Sequence, residues 1–465
     1  MQFVYCELEF LSFTFAKQNK NMDWNKLLST KRLGMEDWTS SGKSEDRTQF
    51  QRDYDRIIFS SPFRRMQNKT QVFPLPEHIF VHNRLTHSLE VASVGRSLGN
   101  LLAEKLMNEL PENLLVPEIG TIVSTACLAH DLGNPPFGHS GEAAISNFFE
   151  KGAGLEFQSL LTTGEWKDFT HFDGNANAFR ILTHQFNGKR PGGFALTYST
   201  LASIVKYPYE SVQAKKPKFG FFQSEKEDYK KIANQLGIES KPENPDSFCR
   251  HPLVFLVEAA DDICYQIMDL EDAFKLGILS YDQTKDLYLG FYDEEIEKKQ
   301  IENIEATLKR VTDKNEQISY LRAGVIGKLI YESIRIFTEN KNEILQGSFN
   351  GSLIGALQNQ HEEAMNMVKK ISYSKIYAHR SVVEIEIAGY KIIGTLLEEF
   401  VAATMNPKDL YSRKILSLLP EQYKTEIDSA YLKIQSVVDF VSGMTDVFAL
   451  DLYRKIKGIS LPGVL

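Results

Sequence analysis

The sequence predicts an all-α fold, and three observations carry that prediction. Strand-like alternation of apolar and polar residues is scarce. Leu85, Leu89, Ala92 and Leu98 keep a helical spacing that continues through Leu106. Beyond residue 280 the chain is a succession of helical patterns with charged faces, at 293–312, 321–340, 353–372, 387–404 and 421–441. With 465 residues, 42% of them apolar and 25% charged, the composition is that of a globular chain able to bury a large core. No run approaches the roughly 18 apolar residues that cross a bilayer, so no membrane partner is expected.

The N-terminal 21 residues read as an appendage. Phe3-Val4-Tyr5-Cys6 and Phe10-Leu11-Ser12-Phe13 lack the basic start and small-residue cleavage site of a secretory signal. Met22-Asp23-Trp24 opens the regular helical pattern, so either Met22 is the natural start or residues 1–21 are an extension. Residues 30–46 are polar and loop-like, and a helical pattern begins at Arg47. Phe63 to Pro74 reads as a basic helix ending at the proline, with a solvated or interface face. The long helical pattern from Arg84 carries His87 three residues on, so the two side chains point to similar sides.

The apolar run Ile122–Leu128 leads into His130-Asp131. Gly133 can end that helix, and Pro135-Pro136 keeps it from resuming. Residues 155–170 read as a loop, and a helix capped by Asp173 or Asn175 follows. Another helix spans 196–206, and 241–252 is a Pro/Asn loop. Pro252 to Ala273 is too apolar around Asp261 for a surface helix. Asp261, Tyr265 and Asp269 share one of its faces at i, i+4, i+8 and need partners, because unpaired buried charge is costly.

Charge and cysteine usage narrow the function. The net charge of −8 excludes the global basic character of a dedicated DNA-binding domain, so an anionic ligand needs a local patch. The segment 206–231 supplies one, with Lys206, Tyr207, Lys215, Lys216, Lys218, Phe219, Phe221, Phe222, Lys226, Lys230 and Lys231. Its lysines suit a polyphosphate, and lysines interleaved with aromatics also describe single-strand binding. The four cysteines, Cys6, Cys127, Cys249 and Cys264, form no CxxC, which points to a reducing compartment and a cytoplasmic location.

The chemistry concentrates between Ala129 and Glu142. His130-Asp131 sets an imidazole beside a carboxylate at the end of a buried element, and His139 with Glu142 follows beyond a rigid turn. Neutral imidazole with carboxylate suits a divalent metal of intermediate hardness. The order His87, His130-Asp131, Asp261 is similar to that of the HD phosphohydrolase superfamily. The flanking text resembles bacterial deoxyguanosine triphosphate triphosphohydrolases (dGTPases) closely. It comprises Arg84-Leu-Thr-His87-Ser88, His130 through Glu142, Asp173-Gly-Asn-Ala176, Glu258-Ala-Ala-Asp-Asp-Ile-Cys-Tyr265, Lys69-Thr-Gln-Val-Phe-Pro74 and Ser442-Gly-Met-Thr-Asp446. The resemblance runs from about residue 47 to about 457.

The resemblance implies an HD-domain helical core over 22–280 and a helical region over 281–465 that contributes to the pocket and to oligomer contacts. It implies that His87, His130, Asp131 and Asp261 hold one divalent metal, Mn²⁺ or Mg²⁺. His139 would be the catalytic acid/base, oriented by Glu142. Gln71, Tyr265 and Asp269 would read the sugar, while Arg84, Asn134, Lys206, Tyr207 and Lys218 hold phosphates. Glu398 and Arg413 would read guanine from the C-terminal helices, across a subunit boundary. The implied reaction is attack of water at the α-phosphorus of dGTP, releasing deoxyguanosine and triphosphate. A homo-oligomer, by analogy a hexamer, and single-stranded DNA as effector complete the expectation. Two alternatives stand beside it: a broader dNTP triphosphohydrolase, and a catalytically weak dNTP-sensing or single-strand-binding protein.

Overall fold

The computed structural model describes residues 21–36, 47–73, 82–110 and 115–460, so residues 1–20 of the expected appendage lie outside the described residues. Within them the architecture is helical, as predicted. The sole strands described are Ser240–Lys241 and Asn244–Phe248, an antiparallel pair with Ser240 opposite Phe248. This hairpin sits where a loop was expected, because Asn244-Pro245-Asp246 carries turn formers and no alternation. No described helix is long and apolar enough to cross a membrane.

Three local expectations are corrected. Residues 155–170 are not a loop: a 3₁₀ stretch covers Ala153–Leu160 and an α-helix covers Thr163–Thr170. Thr162 and Glu165 start that helix as a reciprocal capping box, the Thr-x-x-Glu spacing of which is visible in the sequence. The basic helix after Phe63 stops early, at Arg65, and continues as one 3₁₀ turn, Met66–Asn68. Thr70 then pairs with Asn83 as an isolated bridge, and Lys69 turns inward to 2% exposure instead of facing solvent. The 421–441 pattern becomes a helix at Ala430, where Ser429 caps it.

Two apolar cores organise these helices. The first runs from Met22 to Val382 and surrounds the helices Arg84–Met107, Ile119–Ala129 and Val254–Lys275. The expected boundary near residue 280 therefore falls inside it. The second forms where the C-terminal helices Arg380–Met405, Ala430–Ser442 and Asp446–Ile456 fold back onto His139–Glu150 and Thr163–Thr170. Phe149 and Phe169 stack at its centre, with ring centroids 4.7 Å apart.

Glycine sets the closest approach in the first core. A Cβ at Gly99 would lie 2.7 Å from Gly120 Cα, and one at Gly95 would lie 2.5 Å from Cys127 Sγ. The helices Arg84–Met107 and Ile119–Ala129 can meet this closely because neither side carries a side chain at Gly99 and Gly120. That approach is what brings their ends, bearing His87 and His130, together.

The second core is tied to the helix Gly174–Thr183 by a buried ionic clamp. Arg180 grips Asp439 through Nε and Nη2, each 2.7 Å from a carboxylate oxygen, and donates from Nη1 to Glu225 at 2.5 Å. Arg180 and Asp439 both lie in the interior, as does Glu225. Arg180→Ala is expected to destabilise the fold by about 3–5 kcal/mol, because it leaves two buried carboxylates without their cation. Denaturant unfolding checks this, and an unchanged midpoint would mean that the clamp contributes nothing to stability.

Candidate active site

The cluster of His87, His130 and Asp261 is built from three helices. The helix Ile119–Ala129 is buried almost throughout and delivers His130 at its C-terminal end. His130 Nδ1 donates to the Cys127 carbonyl at 2.6 Å, which turns Nε2 toward the cluster. His87 stands in the first turn of the helix Arg84–Met107, whose start Asn83 and Thr86 secure by capping each other. Asp261 comes from the helix Val254–Lys275, with its Oδ1 3.1 Å from His87 Nε2 and 3.4 Å from His130 Nε2.

These residues fit a divalent metal. One ligand atom from each of His87, His130 and Asp261 lies within 4.8 Å of the others. His130 Nε2 is buried without a hydrogen-bond partner, so it is available to a ligand in the centre of the cluster. Burial pulls the His130 imidazole toward the neutral form, yet the Asp131 and Asp261 carboxylates overcome it and raise its pKa to about 9. Burial pushes Asp261 up, but His130 and His87 hold its carboxyl well below the ordinary range. Two imidazole nitrogens with one carboxylate match a metal of intermediate hardness. Asp131 stands against the cluster, its Oδ1 3.6 Å from His130 Nε2. Its oxygens also accept from Arg84 Nη1 at 2.8 Å and Asn134 Nδ2 at 2.5 Å.

The cluster borders a cleft of about 470 Å³, also lined by Gln71, Arg84, Asn134, His139, Glu142, Lys206, Tyr207, Lys218 and Tyr265. His139 opens the helix His139–Glu150, and its side chain is 78% exposed at the mouth. Its Nδ1 lies 2.8 Å from Glu142 Oε2. Glu142 Oε1 accepts from the Gly174 amide at 2.7 Å, so the carboxylate that orients the imidazole is itself anchored. Burial pushes Glu142 up, but His139 and Lys218 hold its carboxyl below the usual range. Lys218 Nζ is 3.1 Å from Asp173 and 3.6 Å from Glu142, and Lys206 Nζ is 3.2 Å from Glu258. Gln71 contributes a buried Oε1 that lacks a hydrogen-bond partner.

Asp269 sits behind Tyr265. Burial raises its carboxyl to about 8, and Tyr377 Oη donates to it at 2.9 Å. Tyr265 is flanked by the rings of Tyr377, at 5.9 Å, and His87, at 6.4 Å. Tyr377 follows a π-helical turn, Ser372–Ile376. Its part in the site was not read from the sequence, because the helical pattern there ended at 372 and one extra residue per turn shifts every later side chain. Glu258, which holds Lys206, went unread as well, although it lies three residues before Asp261 on the same helix.

Some expected residues stand elsewhere. Glu398 and Arg413 are exposed and do not line the cleft. The helix bearing Glu398 does reach the cleft, through Ile385 and Glu386, but Glu398 lies about 20 Å farther along it at 1.5 Å per residue. The lysine/aromatic segment also divides. Lys206, Tyr207 and Lys218 face the cleft, whereas Phe219, Phe221 and Phe222 are wholly buried in the cores. Lys226 pairs with Glu210 and Asp246, and Lys231 with Glu36. Those three phenylalanines are therefore not a stacking surface for single strands, which corrects that part of the expectation.

Comparison with known proteins bears on the whole chain. Residues 84–190 match the HD domain, and residues 356–455 match the phosphohydrolase-associated domain. A deoxyguanosinetriphosphate triphosphohydrolase-like protein of Synechocystis is 39% identical, over 95% of this chain and 100% of that protein. One of Pseudomonas aeruginosa is 38% identical over the same shares. A deoxyguanosinetriphosphate triphosphohydrolase of Yersinia enterocolitica is 30% identical, over 88% of this chain and 93% of its own.

Proposed function

We propose that this chain, which belongs to the deoxyguanosinetriphosphate triphosphohydrolase family of HD-domain hydrolases, hydrolyses dGTP to deoxyguanosine and inorganic triphosphate. The observation that carries the reading is the junction of two chemistries on one cleft: the His87, His130 and Asp261 cluster, and the His139–Glu142 dyad with lysines beside it. Water oxygen bonds to the α-phosphorus, the bond from that phosphorus to O5′ breaks, and O5′ leaves as a hydroxyl. His139, with Nδ1 engaged by Glu142, moves the proton through Nε2. Arg84, Asn134, Lys206, Tyr207 and Lys218 hold the triphosphate. His87, His130 and Asp261, with Asp131 beside them, would hold one Mn²⁺ or Mg²⁺. That ion supplies polarisation of a phosphoryl oxygen and acidification of water.

Gln71 and Asp269 bond the 3′-hydroxyl in this reading, and the packed Tyr265 ring leaves no room for a 2′-hydroxyl. Tyr265→Ala is expected to lower the preference for dGTP over GTP, as a ratio of kcat/KM, by about tenfold or more. Unchanged rejection of GTP would remove Tyr265 as the sugar gate. We place the work in a cytoplasmic homo-oligomer, with the hexamer as the expected state and single-stranded DNA as an effector.

The test is product analysis with Mn²⁺ and each dNTP or GTP separately. Deoxyguanosine plus intact triphosphate, from dGTP alone, is the expected result. A second reading is broader dNTP hydrolysis, since within one chain Glu398 and Arg413 do not line the cleft. Triphosphate from several dNTPs would establish it. No turnover of any nucleotide, with or without single-stranded DNA, would overturn both.

A further inference from the structure

We propose that Asp446 is a positioning residue that holds two active-site backbones in register from the far end of the chain. The inference rests on the reading that His139 and Gln71 serve the reaction. Asp446 is 5% exposed, and its carboxylate lies between two segments that line the cleft. Its Oδ1 accepts from the Phe137 amide at 3.0 Å, and its Oδ2 from the Thr70 amide at 2.8 Å. Phe137 is two residues from His139, and Thr70 immediately precedes Gln71.

The segment it holds is a strained turn, which the Gly138 amide closes on the Pro135 carbonyl at 3.2 Å. Phe137 and Gly138 adopt φ of +62° and +57°, consecutive left-handed conformations directly before His139. A residue with a side chain stays there only when its surroundings fix it. Gly138 relieves part of that strain, because at φ +57° a residue with a Cβ would add to it. The Phe137 amide bond to Asp446 is therefore an external restraint on the turn that aims the imidazole.

The same C-terminal turn grips the loop at a second point. The Ser442 carbonyl accepts from Lys69 Nζ at 3.0 Å, and that ammonium also donates to the Asn134 carbonyl at 2.5 Å. Ser442 Oγ accepts from Asn177 Nδ2 at 3.2 Å, and the Asn177 amide also donates to the Gly133 carbonyl at 2.7 Å. Ser442 thus steadies the Gly133–Asn134 end of the loop through intermediaries. Among the described residues, Asp446 bonds directly to both the His139 end and the segment leading into Gln71.

Asp446→Ala and the isosteric Asp446→Asn test this in the full chain. Hydrogen–deuterium exchange is expected to quicken at least tenfold in the peptides holding Thr70 and Phe137 for Asp446→Ala. In Asp446→Asn it should quicken in one of them, because a carboxamide oxygen can replace one acceptor and its NH₂ opposes the other amide. Exchange in Ile119–Ala129 should not change. With dGTP, kcat should fall up to about hundredfold while Mn²⁺ affinity holds. Asp446→Ala should then add less than twofold to His139→Ala, since both act on one imidazole. Unchanged exchange at both peptides, or fully additive losses, overturns the proposal. Should His139→Ala turn over normally, the reading of His139 fails, and the exchange measurement still decides whether Asp446 holds the two backbones.

Discussion

His139→Ala is expected to lower dGTP turnover by about 10²–10⁴-fold and to leave metal content intact. The reason lies in the separation of the two chemistries. His139 contributes nothing to the cluster of His87, His130 and Asp261. It is held through Nδ1 by Glu142, and Glu142 is held in turn by the Gly174 amide. Its exposed position lets it meet a ligand at the mouth of the cleft. Truncation to alanine thus removes a proton-transfer group without opening a cavity. Single-turnover kinetics with a parallel Mn²⁺ titration checks the result. Turnover at the wild-type rate would take His139 out of the reaction, and loss of metal would assign it to supporting the cluster.

Asp261→Ala is expected to have the larger effect, loss of stoichiometric metal and of all measurable turnover. Asp261 is the carboxylate of the triad, and one of its oxygens approaches both imidazoles. Without it two histidine nitrogens remain, and Asp131 is already engaged by Arg84 and Asn134. The wild-type chain should gain about 2.7 kcal/mol of stability when Mn²⁺ is present at a hundredfold over its Kd, and Asp261→Ala should gain none. Elemental analysis and thermal unfolding with and without Mn²⁺ report both. Chelation of the wild type should leave the helices in place, because His130 is fixed by the Cys127 carbonyl and by packing rather than by an ion. Retention of one metal per chain in Asp261→Ala would displace Asp261 from the ligand set.

Most of the cleft was legible in the chain because its parts lie in short, locally determined text. His130 follows from a buried helix ending before Gly133 and the two prolines. His139 and Glu142 are one helical turn apart, which dictates their hydrogen bond. Asp261, Tyr265 and Asp269 share a helix face by periodicity; Asp261 and Tyr265 line the cleft in the fold, while Asp269 is buried and accepts from Tyr377. Where the chain misled, the local signal was ambiguous. Phe219, Phe221 and Phe222 beside lysines read as an exposed loop or a stacking strip, and burial placed them in the cores instead.

The sequence by itself determined the helical class, the candidate ligands and proton-transfer pair, and the family that their flanking text resembles. These depend on residue type and on spacings of a few residues, which the helix repeat converts directly into geometry. Only the tertiary structure decided that Glu398 and Arg413 stand away from the cleft, that Tyr377 reaches Asp269, and that Asp446 spans Thr70 and Phe137. Those relations join residues a hundred to several hundred positions apart. They depend on how closely helices approach, as Gly99 and Gly120 permit, and no local periodicity encodes that distance.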